Sequence, residues 1–266
     1  MISDHPPHAG QPSVAASLGQ LATADLSLLG ERALLKRVDT KFALSDVQLA
    51  SVLASLDGRY AVARVGGAPL DRYETTYFDT PALTFLNQHL RDRRPRYKVR
   101  IRHYMGRERS YLEVKQKTSA GATRKWRREL PFGEDALSEL SASFLSDVCP
   151  VDAALLRPTA CTNFDRITLV GVDTMERVTL DLRLQFMAGG RERELGPVVI
   201  AEVKQDRQRW RSPIMLALRA NHVRALSISK YCAAAALLIE GARVQRYRPR
   251  LRELQRLVSR SAEHAG

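Results

Sequence analysis

Charged and apolar side chains alternate along three successive segments in the first half of the chain. The segments are 97–102, 111–117 and 123–129. A period of two is typical of a β-strand with one buried face. In the first segment Lys98, Arg100 and Arg102 share one face, opposite Val99 and Ile101. The pattern therefore predicts an antiparallel meander with a row of cations on one face.

The same alternation recurs in other segments of the chain. Between these segments, apolar residues recur at the spacing of a helix. Further strands are predicted at 37–42, 60–65, 72–78, 162–170, 176–186 and 198–204. Helices are predicted at 26–35, 45–56, 135–145, 213–220 and 231–240, with one more capped by Thr80 and opened by Pro81. In the strand 176–186, Arg177, Thr179, Asp181 and Arg183 are expected to share a face. The chain is thus predicted to be an α+β protein with an antiparallel sheet.

Two arrangements satisfy strands that are apolar on one face and charged on the other. In the first, an open sheet packs its apolar face under helices and exposes its charged face to water, where lysine and arginine usually lie. In the second, the sheet closes, helices cover the apolar outside, and the charged face lines a tunnel. Cations inside a tunnel need a polyanionic ligand or scattered carboxylates to offset their repulsion. The periodicity alone does not choose between the two.

Composition adds a preference for anionic partners. The 266 residues include 44% hydrophobic ones, enough for a sizeable core, and carry a net charge of +13 with a pI near 10.1. Such a charge favours nucleic acid, acidic lipid or phosphate-rich small molecules. Cys149, Cys161 and Cys232 are scattered, which argues against a disulfide framework or a zinc site.

The two ends of the chain differ from its middle. Residues 1–25 are expected to be a disordered tail, 26–242 one domain, and 243–266 a solvated or flexible basic tail rich in arginine. The start lacks the cationic and apolar regions of a signal peptide, and the apolar run 233–239 is too short to span a bilayer. We therefore expect a cytoplasmic protein.

A series of short motifs occurs in a characteristic order. The motifs are Arg37-Val38-Asp39-Thr40-Lys41-Phe42, Thr76-Tyr77-Phe78-Asp79, Lys98-Val99-Arg100-Ile101-Arg102, Leu112-Glu113-Val114-Lys115, Arg177-Val178-Thr179-Leu180-Asp181, Ala201-Glu202-Val203-Lys204 and Ser229-Lys230-Tyr231. Each motif alone is weak, but the ordered series resembles the VTC domain. This domain is the polyphosphate polymerase branch of the triphosphate tunnel metalloenzymes. The resemblance covers about residues 35–240.

The resemblance implies a fold, a reaction and a set of site residues. The implied fold is a closed antiparallel β-barrel with helices packed on the outside. The implied reaction transfers the γ-phosphate of ATP onto polyphosphate with a divalent metal, Mn²⁺ or Mg²⁺. The implied phosphate contacts are Lys41, Arg100, Arg102, Lys115, Lys125, Arg166 and Arg177, with Lys204 beside the metal. Glu202 would hold the metal, and Lys230, Arg100 and Arg102 would act on the reacting phosphate.

The chain departs from the wider family in two places. Hydrolase and cyclase relatives begin with a glutamate-rich ExExK strand, where this chain has Arg37 to Lys41. Fewer carboxylates argue against two-metal activation of water, and so against a triphosphatase. Ser227 stands where the eukaryotic polymerases have a lysine, a departure that bears on the polymerase activity. The phosphoinositide-binding domain and membrane helices of those polymerases are not seen, so membrane coupling would need a separate partner.

Simpler interpretations of the same residues stay open at this point. Glu202 could pair only with Lys204 or Arg177, and Lys230 could only solvate the start of a helix. Asp39 and Glu113 would be secondary metal ligands or would orient cations, His103 and His222 ordinary histidines, and Trp126 a packing residue. Three functions follow: a polyphosphate polymerase acting on ATP, a tunnel triphosphatase, and a non-catalytic binder of polyphosphate or nucleic acid. We favour the first, with no specific nucleic acid as partner.

Overall fold

An antiparallel sheet of ten strands forms the frame of the protein. The computed structural model describes residues 13–32, 37–242 and 244–263, with side chains described as far as residue 259. The strands are β1 (Val38–Ser45), β2 (Tyr60–Val62), β3 (Leu70–Asp79), β4 (Arg96–Tyr104), β5 (Arg109–Lys117), β6 (Thr123–Leu130), β7 (Arg157–Gly171), β8 (Glu176–Ala188), β9 (Arg191–Glu194) and β10 (Val198–Gln205).

Within the described residues, two α-helices precede β1, three lie between strands and three follow β10. They are α1 (Val14–Gln20), α2 (Leu26–Glu31), α3 (Asp46–Ala54), α4 (Thr84–Leu90), α5 (Glu139–Val148), α6 (Pro213–Ala220), α7 (Lys230–Leu238) and α8 (Arg248–Glu263). The predicted cap of α3 is present, because Ser45 and Gln48 form a reciprocal capping box at its start. Among the helices of the described ranges, none combines the length and hydropathy needed to cross a bilayer.

The sheet curls so that its two end strands face each other. Its hydrogen-bonded order is β1-β10-β8-β7-β3-β4-β5-β6, with β2 on β7 and β9 on β8. Within the described residues, β1 and β6 are the two end strands of this hydrogen-bonded order. Burial lowers the pKa of Lys125 on β6, and the charges of Arg37 and Asp39 beside and on β1 act on it across the interior. The charged faces of the strands in the order from β1 to β6 therefore surround one interior, as the predicted antiparallel barrel requires.

A segment near the end of the chain lies along the free edge of β1. Ala225 forms an isolated antiparallel bridge with Phe42, and the Leu226 amide donates to the Lys41 carbonyl at 2.8 Å. Four residues later, Ser229 Oγ accepts a hydrogen bond from Lys98 Nζ of β4 at 2.9 Å. The segment thus crosses from β1 to the opposite wall and delivers the first residues of α7 into the interior.

The outer faces of the strands are apolar and are covered by helices. One cluster joins Val199, Ala201 and Val203 of β10 to residues of α1, α3 and α6. Another joins Val99 and Ile101 of β4 to residues of α4 and α5. Burying each large aliphatic side chain contributes roughly 1.5–3 kcal/mol, so these clusters fix which face of each strand points outward. The expected helices on the outside of the barrel are confirmed.

Helix α7 is different because it packs against the inner face at one end of the barrel. Its residues Tyr231 and Cys232 lie in a cluster with Ala43, Ile200 and Phe164, which share the inner faces of β1, β10 and β7. This inner surface is apolar at that end, and α7 fills it. The charged part of the interior is consequently closed off on the α7 side.

Four sequence-based expectations need correction. Residues 14–20 form α1 and bury Leu18, so the disorder expected for 1–25 does not hold there, while residues 1–12 lie outside the described residues. Helix α4 begins at Thr84 after a left-handed Leu83, and not at Pro81. The expected flexible basic tail forms α8, which buries Leu254. The domain limits themselves remain an expectation.

Arg183 lies on the opposite face of β8 from the one that the sequence pattern predicts. This residue has a φ of 49°, and the β7–β8 register shifts between Asn163 and Asp165. The irregularity reverses the alternation, so Arg183 pairs with Asp165 on the outside while Leu184 takes the inner position. Arg183 therefore does not share a face with Asp181, as a strict period of two had predicted.

Candidate functional site

Strand register places the predicted site residues in rows around the interior. Lys41 lies opposite Glu202, and Glu202 lies opposite Thr179. One step further along the same three strands, Asp39 lies opposite Lys204, and Lys204 lies opposite Arg177. Because alternate residues share a face, both rows point the same way.

The rows continue on the other wall. Cross-strand pairing gives the series Asp181–Arg166–Asp71, Thr75–Arg102–Tyr111–Glu129, Tyr77–Arg100–Glu113–Arg127 and Lys98–Lys115–Lys125. These series, together with the rows above, bring the following predicted site residues to one face: Lys41, Arg100, Arg102, Lys115, Lys125, Arg166, Arg177, Glu202 and Lys204. Lys230 joins them from the start of α7. The individual roles of these residues stay a prediction.

Glu202 is bound on both oxygens by lysines. Lys41 Nζ lies 2.5 Å from Oε2, and Lys204 Nζ lies 3.5 Å from Oε1. Burial raises the pKa of Glu202, but the two ammonium groups outweigh this and hold it well below its usual range. Burial also lowers the pKa of Lys204 to about 7. The carboxylate is thus charged at neutral pH and already neutralises part of the cationic interior.

Glu113 plays the corresponding role on the opposite wall. Arg100 contacts Glu113 Oε2 through Nε at 2.6 Å and through Nη2 at 2.5 Å. Burial raises the pKa of Glu113, but Arg100 and Arg102 lower it to about 2. Glu113 therefore orients the Arg100 guanidinium, which is one of the two alternatives that the sequence left open.

Asp181 binds two cations, each of which also lies against an aromatic ring. Arg166 binds it in a bidentate manner at 2.6 and 2.8 Å, and Lys230 Nζ bonds its Oδ2. The Lys230 ammonium lies 4.3 Å from the centroid of Phe164, and Arg166 lies 4.7 Å from that of Tyr73. These contacts fix the position of both cations, since each is held by a charge and by a ring.

A third group of cations has no such compensation. Within the described residues, five inner cations form no ion pair with a carboxylate: Lys98, Arg102, Lys115, Lys125 and Arg177. Burial lowers the pKa of Lys98, and loss of solvent together with Lys98 and Lys125 lowers that of Lys115 to about 7. Like charges directly opposite each other in a sheet are destabilising. An anionic ligand would therefore be favourable beside the Lys98–Lys115–Lys125 row, which has only the more distant charges of Glu202 and Asp39 to offset it.

Two residues of the site were missed as site residues in the sequence. Lys98 could have been included, because it precedes Arg100 and Arg102 on the same face. Asp181 could have been included for the same reason, through Arg177 and Thr179. The contact between Lys98 and Ser229 could not have been foreseen, since it depends on the path of the chain between α6 and α7.

A serine, a histidine and an aspartate also meet on the outer face of the sheet. His103 Nδ1 lies 2.6 Å from Ser110 Oγ, and its Nε2 lies 2.9 Å from Asp135 Oδ1. Ser110 is fully buried and also accepts from the Gly133 amide at 3.1 Å. Because Ser110 and His103 are buried and both ring nitrogens are hydrogen-bonded, His103 is an ordinary satisfied histidine that anchors the loop carrying Asp135. His222 is exposed, and Trp126 packs in the outer core.

Comparisons with known proteins give one family match and several structures with a partly similar chain path. The family model described as the VTC domain matches residues 36–239. Among curated proteins, none matches this sequence significantly. Solved structures with a similar chain path include a Hippeastrum protein whose title reports a dominant triphosphatase activity, at 14% identity over 77% of this chain and 98% of that one, with a TM-score of 0.48. Another is an adenylate cyclase candidate from Bacillus halodurans, at 13% identity over 73% and 94%, with a TM-score of 0.47.

Proposed function

Because the chain belongs to the VTC domain family, we propose that it is a polyphosphate polymerase that transfers the γ-phosphate of ATP onto a polyphosphate chain. The family membership and the cationic interior make it a phosphate-handling enzyme of the tunnel type. The polymerase reaction, the use of ATP and the identity of the metal are the specific content of the proposal.

The observation that carries the proposal is the uncompensated charge of the interior. Lys98, Lys115 and Lys125 lie side by side on adjacent strands, facing Lys41 and Glu202 across the barrel. A linear polyanion offers one negative charge per phosphate and no apolar surface. It therefore matches a lining of rows of ammonium and guanidinium groups better than a compact or partly apolar ligand does.

The chain's own residues would act mainly by positioning and by cancelling charge. Phosphoryl transfer requires an in-line arrangement and neutralisation of the non-bridging oxygens. Arg100 and Arg102 would bind two phosphate oxygens each through their planar forks. Lys230, held by Asp181, would donate to the reacting phosphate from the α7 side. Lys41 would leave Glu202 for the phosphate when the ligand enters.

The inner residues could hold a divalent metal in one way, through a single carboxylate and oxygens of the substrate. Within the described residues there is no group of three or more histidine, cysteine or acidic side chains that could hold a metal ion. Glu202 is one carboxylate on the inner face, and magnesium or manganese in phosphate sites is commonly held by one or two carboxylates together with substrate oxygens. Glu202 would hold Mn²⁺ or Mg²⁺ in this way. When bound, the metal would neutralise charge on the phosphates.

The same carboxylate inventory favours transfer over hydrolysis. Glu113 and Asp181 are each engaged by arginine, and Asp181 also by Lys230. Asp39 and Asp71, on the same face, lie 2.8 Å from Arg37 Nε and 3.4 Å from Arg107 Nε, so each of these four carboxylates is already paired with a cation. A triphosphatase would need a base to activate water, or a second metal with more acidic ligands. The proposed partners are ATP and polyphosphate. Coupling to a membrane through a separate partner, and a cytoplasmic location, are further parts of the proposal.

The test is incubation of the purified protein with ATP and Mn²⁺, followed by gel sizing of phosphate polymer. We expect long polymer from the native chain, and a loss of about a hundredfold or more in rate for Glu202→Ala and Arg100→Ala, since each removes transition-state charge stabilisation. Glu192→Gln, on exposed β9, is the matched control and should behave as native.

Two outcomes would replace the proposal. Free phosphate without polymer would identify a triphosphatase. ATP left intact, with polyphosphate or DNA bound equally well by Glu202→Ala, would identify a non-catalytic binder.

A further inference from the structure

Tyr247 makes two hydrogen bonds to the residue that precedes Lys230. Its hydroxyl accepts from the Ser229 amide at 3.0 Å and donates to the Ser229 carbonyl at 3.0 Å. The side chain is 5% exposed, so both bonds form away from solvent. The phenol thus bonds both backbone groups of Ser229 and helps to fix its peptide planes, together with the Ala233 amide, which donates to the same carbonyl at 2.8 Å in the first turn of α7.

Ser229 is itself the point where three parts of the site meet. It is the N-cap of α7, with Oγ accepting from the Cys232 amide at 3.3 Å and from Lys98 Nζ at 2.9 Å. The next residue, Lys230, reaches Asp181. A shift of the Ser229 backbone would consequently move the Lys230 ammonium and release Lys98 at the same time.

The element that carries Tyr247 lies beyond the part of the chain that the family model matches. That match ends at residue 239, whereas Tyr247 directly precedes α8. Helix α8 is anchored by Leu251 and Leu254, which are buried in the same cluster as Tyr231 of α7. Arg250 also lies over the Tyr247 ring, with its guanidinium carbon 5.6 Å from the centroid. The contact to Ser229 is therefore made by the residue that immediately precedes a docked helix.

We propose that the segment 244–259 is a working part of the site, and that Tyr247 is a positioning residue which holds Lys230 against Asp181 through Ser229. The inference rests on the proposed function for the role of Lys230 in phosphate transfer. Its geometric part, the control of Lys230 by Tyr247, stands apart from which reaction is catalysed. The arginines on the outer face of α8 are not needed for this role.

The variant Tyr247→Phe tests the inference, because it keeps the ring and removes both hydrogen bonds. We expect kcat for polymer synthesis to fall about tenfold to a hundredfold, with KM for ATP changed less than about twofold, since the strands supply the phosphate contacts. The second readout is reductive methylation of Lys230, followed by mass spectrometry. We expect the methylation rate to rise severalfold as Lys230 leaves Asp181.

A matched substitution separates positioning from general loosening. Tyr97→Phe also removes a buried hydroxyl, which accepts from Gln116 Nε2 at 2.5 Å, but it lies in the outer core. It should leave kcat and Lys230 methylation as in the native chain. The inference is overturned if Tyr247→Phe leaves Lys230 methylation unchanged, or if Tyr97→Phe raises it equally. If the native chain makes no polymer, the proposed function fails, and the methylation measurement still decides the inference.

Discussion

Individual carboxylates hold several cations of the interior in place. Glu202 holds Lys41 and Lys204, Glu113 holds Arg100, and Asp181 holds Arg166 together with Lys230. Each pair keeps a cation charged and oriented before a ligand arrives. If the interior binds phosphate as proposed, a phosphate oxygen would replace a carboxylate oxygen, and binding would not need the cation to be newly ordered.

The pH dependence of phosphate binding follows from three buried lysines. Burial lowers the pKa of Lys115 and of Lys204 to about 7 and that of Lys230 to about 8, from an ordinary value of 10.5. The folded state then binds fewer protons than the unfolded one between about pH 7 and pH 10, so the unliganded protein gains stability as pH rises through this range. Phosphate binding should weaken over the same range, because the lysines lose their charge.

Titration calorimetry with tripolyphosphate, without metal, measures this effect. We expect binding at about pH 9 to be at least about tenfold weaker than at about pH 6.5. The phosphate ligand only gains negative charge over that range, so the weakening must come from the protein. The variant Lys204→Gln should show a shallower dependence, and an affinity that rises with pH in the native chain would contradict the prediction.

Among the elements, α7 is the one whose placement makes the site. The ring of Tyr231 in α7 stacks on the ring of Tyr77, with the centroids 4.9 Å apart. The Tyr231 hydroxyl donates a hydrogen bond to Asp79 Oδ2 at 2.6 Å. Asp79 is fully buried and also accepts the Phe85 and Leu86 amides at the start of α4. The carboxylate thus joins β3, α4 and α7.

Removing the Tyr231 hydroxyl should therefore lower stability. For Tyr231→Phe we expect the free energy of unfolding to fall by about 1.5–3 kcal/mol, the usual effect of losing a hydrogen bond to a charged group. Urea denaturation checks this, with an unchanged slope indicating a native-like fold. In comparison, Tyr111→Phe loses only an exposed contact with Arg109, and should change stability by less than about 0.5 kcal/mol. Equal effects of the two substitutions would be inconsistent with this account.

For the strands, the sequence predicted the correct inner face wherever charged and apolar residues alternate regularly. The faces of β4, β5 and β10 follow from a period of two, and with them the side on which Arg100, Lys115 and Glu202 lie. The face of Arg183 did not follow, because its positive φ is set by the irregular register with β7. The repeated arginines of α8 obscured Leu251, Leu254 and Val258, whose helical spacing would have predicted a docked helix.

For the whole molecule, the charge of +13 and the cationic interior have the same sign. The outer field should therefore speed the approach of a polyanion, and the interior should hold it. Both contributions are screened by salt over a distance of about 8–10 Å near physiological ionic strength.

Polyphosphate binding should consequently depend steeply on salt. Raising NaCl from about 0.05 M to about 0.5 M is expected to weaken binding of a long polyphosphate by more than about tenfold, mainly through a lower association rate. Stopped-flow or surface binding measurements give both rate constants. Replacing the exposed Arg252 and Arg256 of α8 with glutamine should reduce the association rate and leave the dissociation rate nearly unchanged. A binding constant that is insensitive to salt would exclude an electrostatic interior as the main source of affinity.

The bridge between Phe42 and Ala225 has a consequence for biosynthesis. During translation β1 emerges well before its hydrogen-bonding partners, β10 and the segment around Ala225. Until these segments are made, both edges of β1 are unpaired. We expect such nascent intermediates to need protection from edge-to-edge association.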